Sequence, residues 1–145
     1  MTDSTIKELS LKVSRTINAP AEAIYNAWLD PELLAKFMLP AEGMKPPKIK
    51  LDTQEGGRFS ILMMVGENEI PHEGEYLVLN PYSQIRFTWE SPFSIEGSTV
   101  TINLSKVDAG TKIDLTHIKF PNEESRSNHE GGWKNILNLL NNVTA

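Results

Sequence analysis

The chain has 145 residues, the usual size of one domain, and 39% of them are hydrophobic, which is enough for one core. The formal net charge is −5 and the lysines and arginines form no dense cluster, which argues against a nucleic-acid partner. There is no cysteine, so disulfides, thiolate catalysis and cysteine-based zinc sites are excluded.

The N-terminal part of the chain predicts one strand followed by a helix. Residues 9–17 alternate between apolar and polar side chains, which indicates a half-buried strand. Residues 21–29 carry apolar side chains at helical spacing, and Pro20 suits the first turn of such a helix. Asn18 or Ala19 would then precede the helix as its cap.

A second short helix is expected after Asp30, which is a good N-cap, with Pro31 as its first residue. Residues 39–47 contain three prolines and a glycine and predict an irregular connection. The apolar side of this second helix would carry Leu33, Leu34, Phe37 and Met38.

The middle of the chain predicts six further strands joined by short turns. Because parallel strands need long crossovers, consecutive strands with short turns indicate an antiparallel sheet. Turns are expected at residues 56–57, 66–69 and 108–110. The strands are expected at residues 49–51, 58–65, 71–79, 83–89, 97–106 and 111–118.

The C-terminal part predicts one long amphipathic helix that includes residues 125–140. Its apolar face would carry residues spaced by three and four, namely His129, Trp133, Ile136 or Leu137, and Leu140. Gly131 and Gly132 thin this face and weaken the helix by about 1 kcal/mol each. Either a close approach to a strand or space for a ligand would explain these glycines.

Residues 1–8 lack the basic start and the apolar run of a signal peptide. No apolar stretch approaches the roughly 18 residues of a transmembrane helix. We therefore expect a single domain over residues 1–145, located in the cytoplasm and not inserted in a membrane. The three histidines lack the tight spacing of a zinc motif, so neither a metal nor a cofactor is expected.

Four parts of the chain resemble a known family. The first part is Arg15-Thr16-Ile17-Asn18-Ala19-Pro20 with Ile24-Tyr25-Asn26-Ala27-Trp28 and Asp30-Pro31-Glu32, and the second is Gly56-Gly57-Arg58-Phe59. The third is Gly74-Glu75-Tyr76 through Ile85-Arg86-Phe87-Thr88-Trp89, and the last is Thr111-Lys112-Ile113-Asp114-Leu115-Thr116-His117 with Gly131-Gly132-Trp133. Together they resemble the START-like helix-grip (SRPBCC or Bet v 1-like) superfamily, most closely its homologues of the activator of heat-shock-protein-90 ATPase.

The resemblance implies an α+β helix-grip fold. In it, a curved antiparallel sheet of about seven strands wraps around the long C-terminal helix, and two short helices follow the first strand. A cavity is expected between sheet and helix. One departure is visible: Phe37 stands where the family commonly has a tryptophan that borders the cavity mouth. The size and shape of a ligand therefore do not carry over from the family.

The expected ligand-binding side chains belong to both short helices, to four strands and to the long helix. For the strand over 58–65, alternation leaves open whether Phe59, Ile61 and Met63 or instead Arg58, Leu62 and Met64 face inward. The full set expected to line the cavity is Trp28, Phe37, Met38, Phe59, Ile61, Met63, Phe87, Trp89, Leu115, His117, His129 and Trp133.

Four side chains are candidates for acid–base chemistry in such a cavity: His117, His129, Glu75 and Asp114. His117 ends an inward-facing series and His129 begins the helix stripe, so the two rings are expected to approach each other. Structural hydrogen bonding of one or both rings is the alternative. Further expectations are that His72 is exposed and that Arg58, Glu75, Arg86 and Asp114 point inward.

Three functions follow as hypotheses. The first is binding of a small hydrophobic or amphipathic molecule, such as a lipid or a polyketide-like aromatic, in the cavity. A cavity below about 300 Å³, smaller than usual ligand sites, would count strongly against it. The second is a small enzyme, such as a cyclase, dehydratase or hydrolase, that uses the same cavity. The third is a stress-related protein that binds a chaperone, although the short polar segment of residues 1–8 argues against stimulation of its ATPase. The chain is expected to be a monomer or a weak dimer.

Overall fold

The computed structural model describes residues 9–144 as seven strands and three helices. The first strand and the two short helices are β1 (Ser10–Ile17), α1 (Ala21–Trp28) and α2 (Pro31–Phe37). The remaining strands are β2 (Lys48–Leu51), β3 (Arg58–Val65), β4 (Asn68–Asn80), β5 (Gln84–Thr88), β6 (Thr99–Val107) and β7 (Gly110–Ile118). The chain continues into the long helix α3 (Glu123–Thr144).

All seven strands form one antiparallel sheet in the order β1-β7-β6-β5-β4-β3-β2. The register between β4 and β5 shifts between Tyr76 and Val78, which places an irregularity in the middle of the sheet. Such irregularities bend a strand and increase its twist. The adjacent Gly74 allows close approach, since a Cβ there would lie 2.5 Å from the Phe59 ring. The sheet thus curves around α3.

The core lies between the sheet and the helices. Helix α3 packs against β1, α1 and α2 and buries Trp133, Ile136, Leu137 and Leu140. On the sheet, buried side chains alternate with exposed ones, as along β7, where Ile113, Leu115 and His117 are fully buried. Within residues 9–144 no helix is both long enough and apolar enough to cross a bilayer.

The helix caps agree in part with the sequence analysis. Asp30 caps α2 as predicted, because its Oδ1 accepts hydrogen bonds from the backbone N–H groups of Glu32 and Leu33. Helix α1 differs, since Pro20 itself is the N-cap residue and no side chain caps the helix. Proline lacks an N–H and has a fixed φ, so it fits this boundary without a side-chain cap.

The predicted α+β fold, with its seven strands and helix order, is confirmed. The predicted bounds of β4 are wrong, because the strand begins at Asn68 and runs through Pro71. The hairpin turn before it has only two residues, Gly66 and Glu67, since Val65 pairs with Asn68. Gly66 has a φ of +64°, the conformation such tight turns require.

Candidate functional site

A cavity of about 150 Å³ lies between α3 and the sheet, near the start of the helix. We call it the histidine cavity because two histidines stand among its mostly apolar walls. Its lining residues are Pro40, Met63, His72, Trp89, Asn128, His129, Gly132, Trp133 and Ile136. Apolar walls with a few polar groups are typical of small-molecule sites. The volume is below about 300 Å³, which counts against a cavity that encloses a ligand of usual size.

The two glycines of α3 have different surroundings. A Cβ at Gly132 would lie 3.1 Å from Cβ of Pro40, so this glycine allows the helix to approach the connection after α2. A Cβ at Gly131 would meet nothing within 4 Å. Gly132 lines the cavity, and Asn135 fixes the same connection by donating to the Leu39 carbonyl at 2.7 Å. The close approach is therefore to a loop and not to a strand.

The histidine rings that line the cavity are held in the same manner. Nδ1 of His72 lies 3.0 Å from the carbonyl oxygen of Ile70, and Nδ1 of His129 lies 2.8 Å from that of Ser125. A carbonyl oxygen only accepts, so Nδ1 carries the proton in both rings. Burial lowers the pKa of His72, and the nearby His129 lowers it further. The His72 ring has a second backbone hydrogen bond, to Ile61, whereas the described residues give Nε2 of His129 no partner.

His117 has a different environment from the other two histidines. It is fully buried, and its Nδ1 accepts the indole N–H of Trp133 at 3.0 Å. Its Nε2 therefore carries the proton and donates to Oγ of Ser98 at 2.8 Å. Burial, with a smaller effect of His129, lowers the pKa of His117 to about 3. This ring is neutral and connects the long helix to the sheet.

The predicted approach of His117 and His129 is present in the structure. Their rings meet edge to face with centroids 5.3 Å apart, and the ring of Phe120 packs against both. No hydrogen bond joins the two histidines in the described part of the chain, and His117 does not line the histidine cavity. The structural alternative therefore holds for His117, whereas His129 faces the cavity.

The expected lining residues divide into three groups. Met63, Trp89, His129 and Trp133 line the histidine cavity. A second space of about 20 Å³ is lined by Trp89 and by five expected residues that do not reach the histidine cavity, namely Trp28, Met38, Phe59, Ile61 and Phe87. Phe37, Leu115 and His117 line neither space and pack into the core. Most of the predicted cavity wall is therefore packed core, because aromatic rings from the sheet and α1 fill the gap.

Two indole groups in that core lack an acceptor. The Nε1 atoms of Trp28 and Trp89 are buried, and neither has a hydrogen-bond partner among the described residues. Both rings border the 20 Å³ space, and Trp89 also borders the histidine cavity. Leaving a buried donor unpaired costs about 1–3 kcal/mol. Trp89 therefore lies between the two spaces with an unpaired N–H that reduces the stability of the fold.

The expectation that Arg58, Glu75, Arg86 and Asp114 point inward is wrong. In β3 the buried side chains are Phe59, Ile61 and Met63, so Arg58 faces outward, where it pairs with Glu90 at 2.7 Å. The same alternation places Glu75, Arg86 and Asp114 on the outer face of their strands. A charged side chain is far less costly there, because water solvates it.

Two of the four acid–base candidates are thus separated from the cavity by the sheet. Asp114 accepts a hydrogen bond from Ser14 and has Nζ of Lys12 and of Lys112 each at 3.9 Å. The backbone N–H of Glu75 donates to the hydroxyl of Thr88 on the same outer face. Only His129 among the four candidates lines the cavity. In residues 9–144 no three His, Asp or Glu side chains are grouped to hold a metal.

His72 was expected to be exposed, and this is wrong: 8% of the residue is accessible to solvent. Its ring stacks at a tilt on Trp89, with centroids 5.1 Å apart. The alternation of His72, Gly74 and Tyr76 along β4 was a signal for its inward direction. Asn128 and Pro40 carried no such signal, because a loop conformation and the rotation of α3 bring them to the cavity.

A larger depression of about 530 Å³, which we call the outer groove, lies next to the histidine cavity. The two spaces share Pro40, Met63 and His72. A further depression of about 490 Å³ adjoins the cavity at Asn128 and His129. The outer groove is lined by residues 40–45, residues 63–66, Ile70, His72 and Phe93. The cavity therefore shares parts of its wall with two larger depressions.

Comparison with known proteins gives a consistent picture. The sequence model of the family described as Activator of Hsp90 ATPase homolog 1-like protein matches residues 18–145. None of the curated proteins compared with this chain matches it significantly. The match includes both histidines of the cavity and all of α3.

Several solved structures share the fold. Protein CV1439 from Chromobacterium violaceum has 26% sequence identity and a TM-score of 0.82, over 94% of this chain and 97% of that one. The AHSA1-like protein from Aeromonas hydrophila has 19% identity and a TM-score of 0.79, over 93% and 91% of the two chains. CalU16 from Micromonospora echinospora has 23% identity and a TM-score of 0.72, over 94% and 76%.

Proposed function

The chain belongs to the family of Activator of Hsp90 ATPase homolog 1-like proteins, and we propose that it binds a small apolar or amphipathic molecule in the histidine cavity. The observation that carries the proposal is a space of about 150 Å³ with apolar walls and two histidines at its edge. Small-molecule sites combine these features, since apolar contact supplies affinity and a few polar groups supply orientation.

The volume limits the part of the ligand that enters. An apolar cavity of about 150 Å³ holds a molecule of the size of benzene. A ring or a short branched chain therefore fits the histidine cavity, whereas a sterol or a long lipid does not. The remainder of a longer ligand would lie in the outer groove, which shares Met63 and His72 with the cavity. The proposed ligand is thus one buried ring with or without an exposed extension.

The test is an NMR titration of the ¹⁵N-labelled protein with toluene, naphthalene and octanol. Trp89 and Trp133 line the cavity, so their indole signals report on its occupancy. We expect shifts of these signals, together with backbone shifts at His72, His129 and Ile136. Absence of any shift at millimolar ligand, or shifts confined to distant residues, would refute the proposal.

A cavity-filling variant provides the matched comparison. Met63→Trp places a larger side chain in the wall shared by the cavity and the outer groove, and we expect it to weaken binding at least tenfold. Gly131→Ala is the control, because a Cβ there meets nothing within 4 Å and the residue does not line the cavity. Equal binding by wild type and by Met63→Trp would place the ligand elsewhere.

Binding to a chaperone is a second candidate, supported by the description of the family. Exposed apolar side chains offer a surface for it: Val65, Phe93 and Ile95 are 54%, 59% and 43% accessible. The test is ATPase activity of the cognate chaperone with and without this protein, with Phe93→Ser as the surface variant. An unchanged rate, with no complex detected by sedimentation, would exclude this role. The cytoplasmic location and the link to stress stay predictions.

A further inference from the structure

The chemistry of the cavity's polar edge narrows the class of ligand. Both His72 and His129 line the cavity, and in each ring Nδ1 is engaged with a backbone carbonyl oxygen. With the proton held on Nδ1, Nε2 of the neutral ring has a lone pair and accepts a hydrogen bond. Because the His72 ring is also bonded to the backbone of Ile61, Nε2 of His129 is the free acceptor that the described residues place at the edge of the cavity.

The rest of the lining offers little to a charged ligand. Of the described residues around the cavity, none other than the two histidines is titratable, and most are apolar or aromatic. The indole N–H of Trp133 is already donated to His117. Because a carboxylate needs donors or cations when it leaves water, this lining disfavours an anion. The further donors among the described lining residues are neutral: the side-chain amide of Asn128 at the rim and the unpaired indole N–H of Trp89.

We propose that the preferred ligand carries a hydroxyl on a single aromatic ring, and that this hydroxyl donates a hydrogen bond to Nε2 of His129. The ring matches the volume of the cavity and the aromatic walls formed by Trp89 and Trp133. Aromatic side chains in the wall favour an aromatic ligand over an aliphatic ligand of equal apolar area, because aromatic rings attract each other beyond the burial of their surface. This inference rests on the proposed function and names its ligand class.

The experiment compares phenol with toluene, which have nearly the same size and differ in the hydroxyl. Both are titrated by NMR into wild type and into the double variant His72→Leu, His129→Leu. We expect the affinity ratio of phenol to toluene to fall about tenfold in the variant, the effect of one hydrogen bond to a buried acceptor. Toluene binding by the variant serves as the reference, because the ratio of the two affinities cancels the change that the substitutions make in the apolar contacts of both compounds.

The outcomes separate the two proposals. An unchanged phenol-to-toluene ratio with toluene still bound would refute the hydroxyl inference and leave the proposed function standing. Failure of both compounds to bind wild type would refute the proposed function itself. If the double variant does not fold, the ¹⁵N signals of the imidazole rings in wild type show whether the hydroxyl of phenol bonds to a histidine nitrogen. Nε2 of His129 should shift with phenol and not with toluene, and the lack of such a shift would overturn the inference.

Discussion

Acid should destabilise this protein through His117, and the structure fixes the sign of the effect. Burial lowers the pKa of this ring in the folded state to about 3, compared with about 6.5 in an unfolded chain. Between these values the unfolded state binds more protons than the folded one. Stability contributed by the neutral ring is therefore fully present above about pH 6.5 and is lost progressively down to about pH 3.

The magnitude follows from the two pKa values. A pH of 5 is about 1.5 units below the pKa of the ring in the unfolded chain, and each unit corresponds to about 1.4 kcal/mol. His117 alone should thus lower the free energy of unfolding by about 2 kcal/mol between pH 7 and pH 5. The pKa of His72 is also lowered by burial, so its contribution has the same sign. The observed loss should therefore be about 2 kcal/mol or more.

Urea unfolding at pH 7, 6 and 5, followed by tryptophan fluorescence, measures this loss for wild type and for His117→Gln. Glutamine does not titrate, so the variant should lose about 2 kcal/mol less than wild type over this range. It should be less stable at pH 7, because it cannot keep the bonds to both Trp133 and Ser98. His129→Gln is the control and should keep most of the pH dependence. If the free energy of unfolding fell equally with pH in wild type and in His117→Gln, the reasoning would be refuted.

Four substitutions test the packing described above by chemical denaturation. Gly131→Ala should raise the free energy of unfolding by about 1 kcal/mol through helix propensity. Gly132→Ala should gain less, because its new Cβ would lie 3.1 Å from a neighbouring atom, and an equal gain would contradict that contact. Asp30→Ala should cost about 1 kcal/mol through loss of the α2 cap, and no cost would contradict the cap. Ser98→Ala should cost about 1–3 kcal/mol by leaving Nε2–H of His117 unpaired, whereas a neutral effect would contradict that bond.

The fold could be read from the sequence because its signals are local. Strand alternation in β6 and β7, Asp30 before Pro31, and the three- and four-residue spacing of α3 each specify one element. Strand β3 did not reveal its inner face, since Phe59 and Leu62 are both apolar and alternation does not rank them. The burial of Phe59 is decided by contact with Tyr76 on the neighbouring β4 and with Phe87 on β5, which only the folded sheet provides.

The position of His72 was missed because Pro71 looked like the start of a strand. Proline has no N–H to donate, so it is disfavoured wherever both neighbours need a hydrogen bond. Near Pro71, however, β4 pairs with β3, while its pairing with β5 begins only at Tyr76. The missing donor therefore faces a side without a strand partner, and the strand continues through the proline. This extension turns His72 into the cavity.

The three histidines of this protein lie close together and differ in the nitrogen that each has available. His117 uses both nitrogens to join Trp133 to Ser98, so it stabilises the position of α3 and offers nothing to a ligand. His129 bonds only through Nδ1, to the Ser125 carbonyl of its own helix, whereas the His72 ring bonds to the backbone of both Ile70 and Ile61. The bond to Ser125 fixes the tautomer of His129 and leaves its Nε2 available to a ligand. His117 therefore supports the position of the helix, and His129 is the histidine that can contact a ligand.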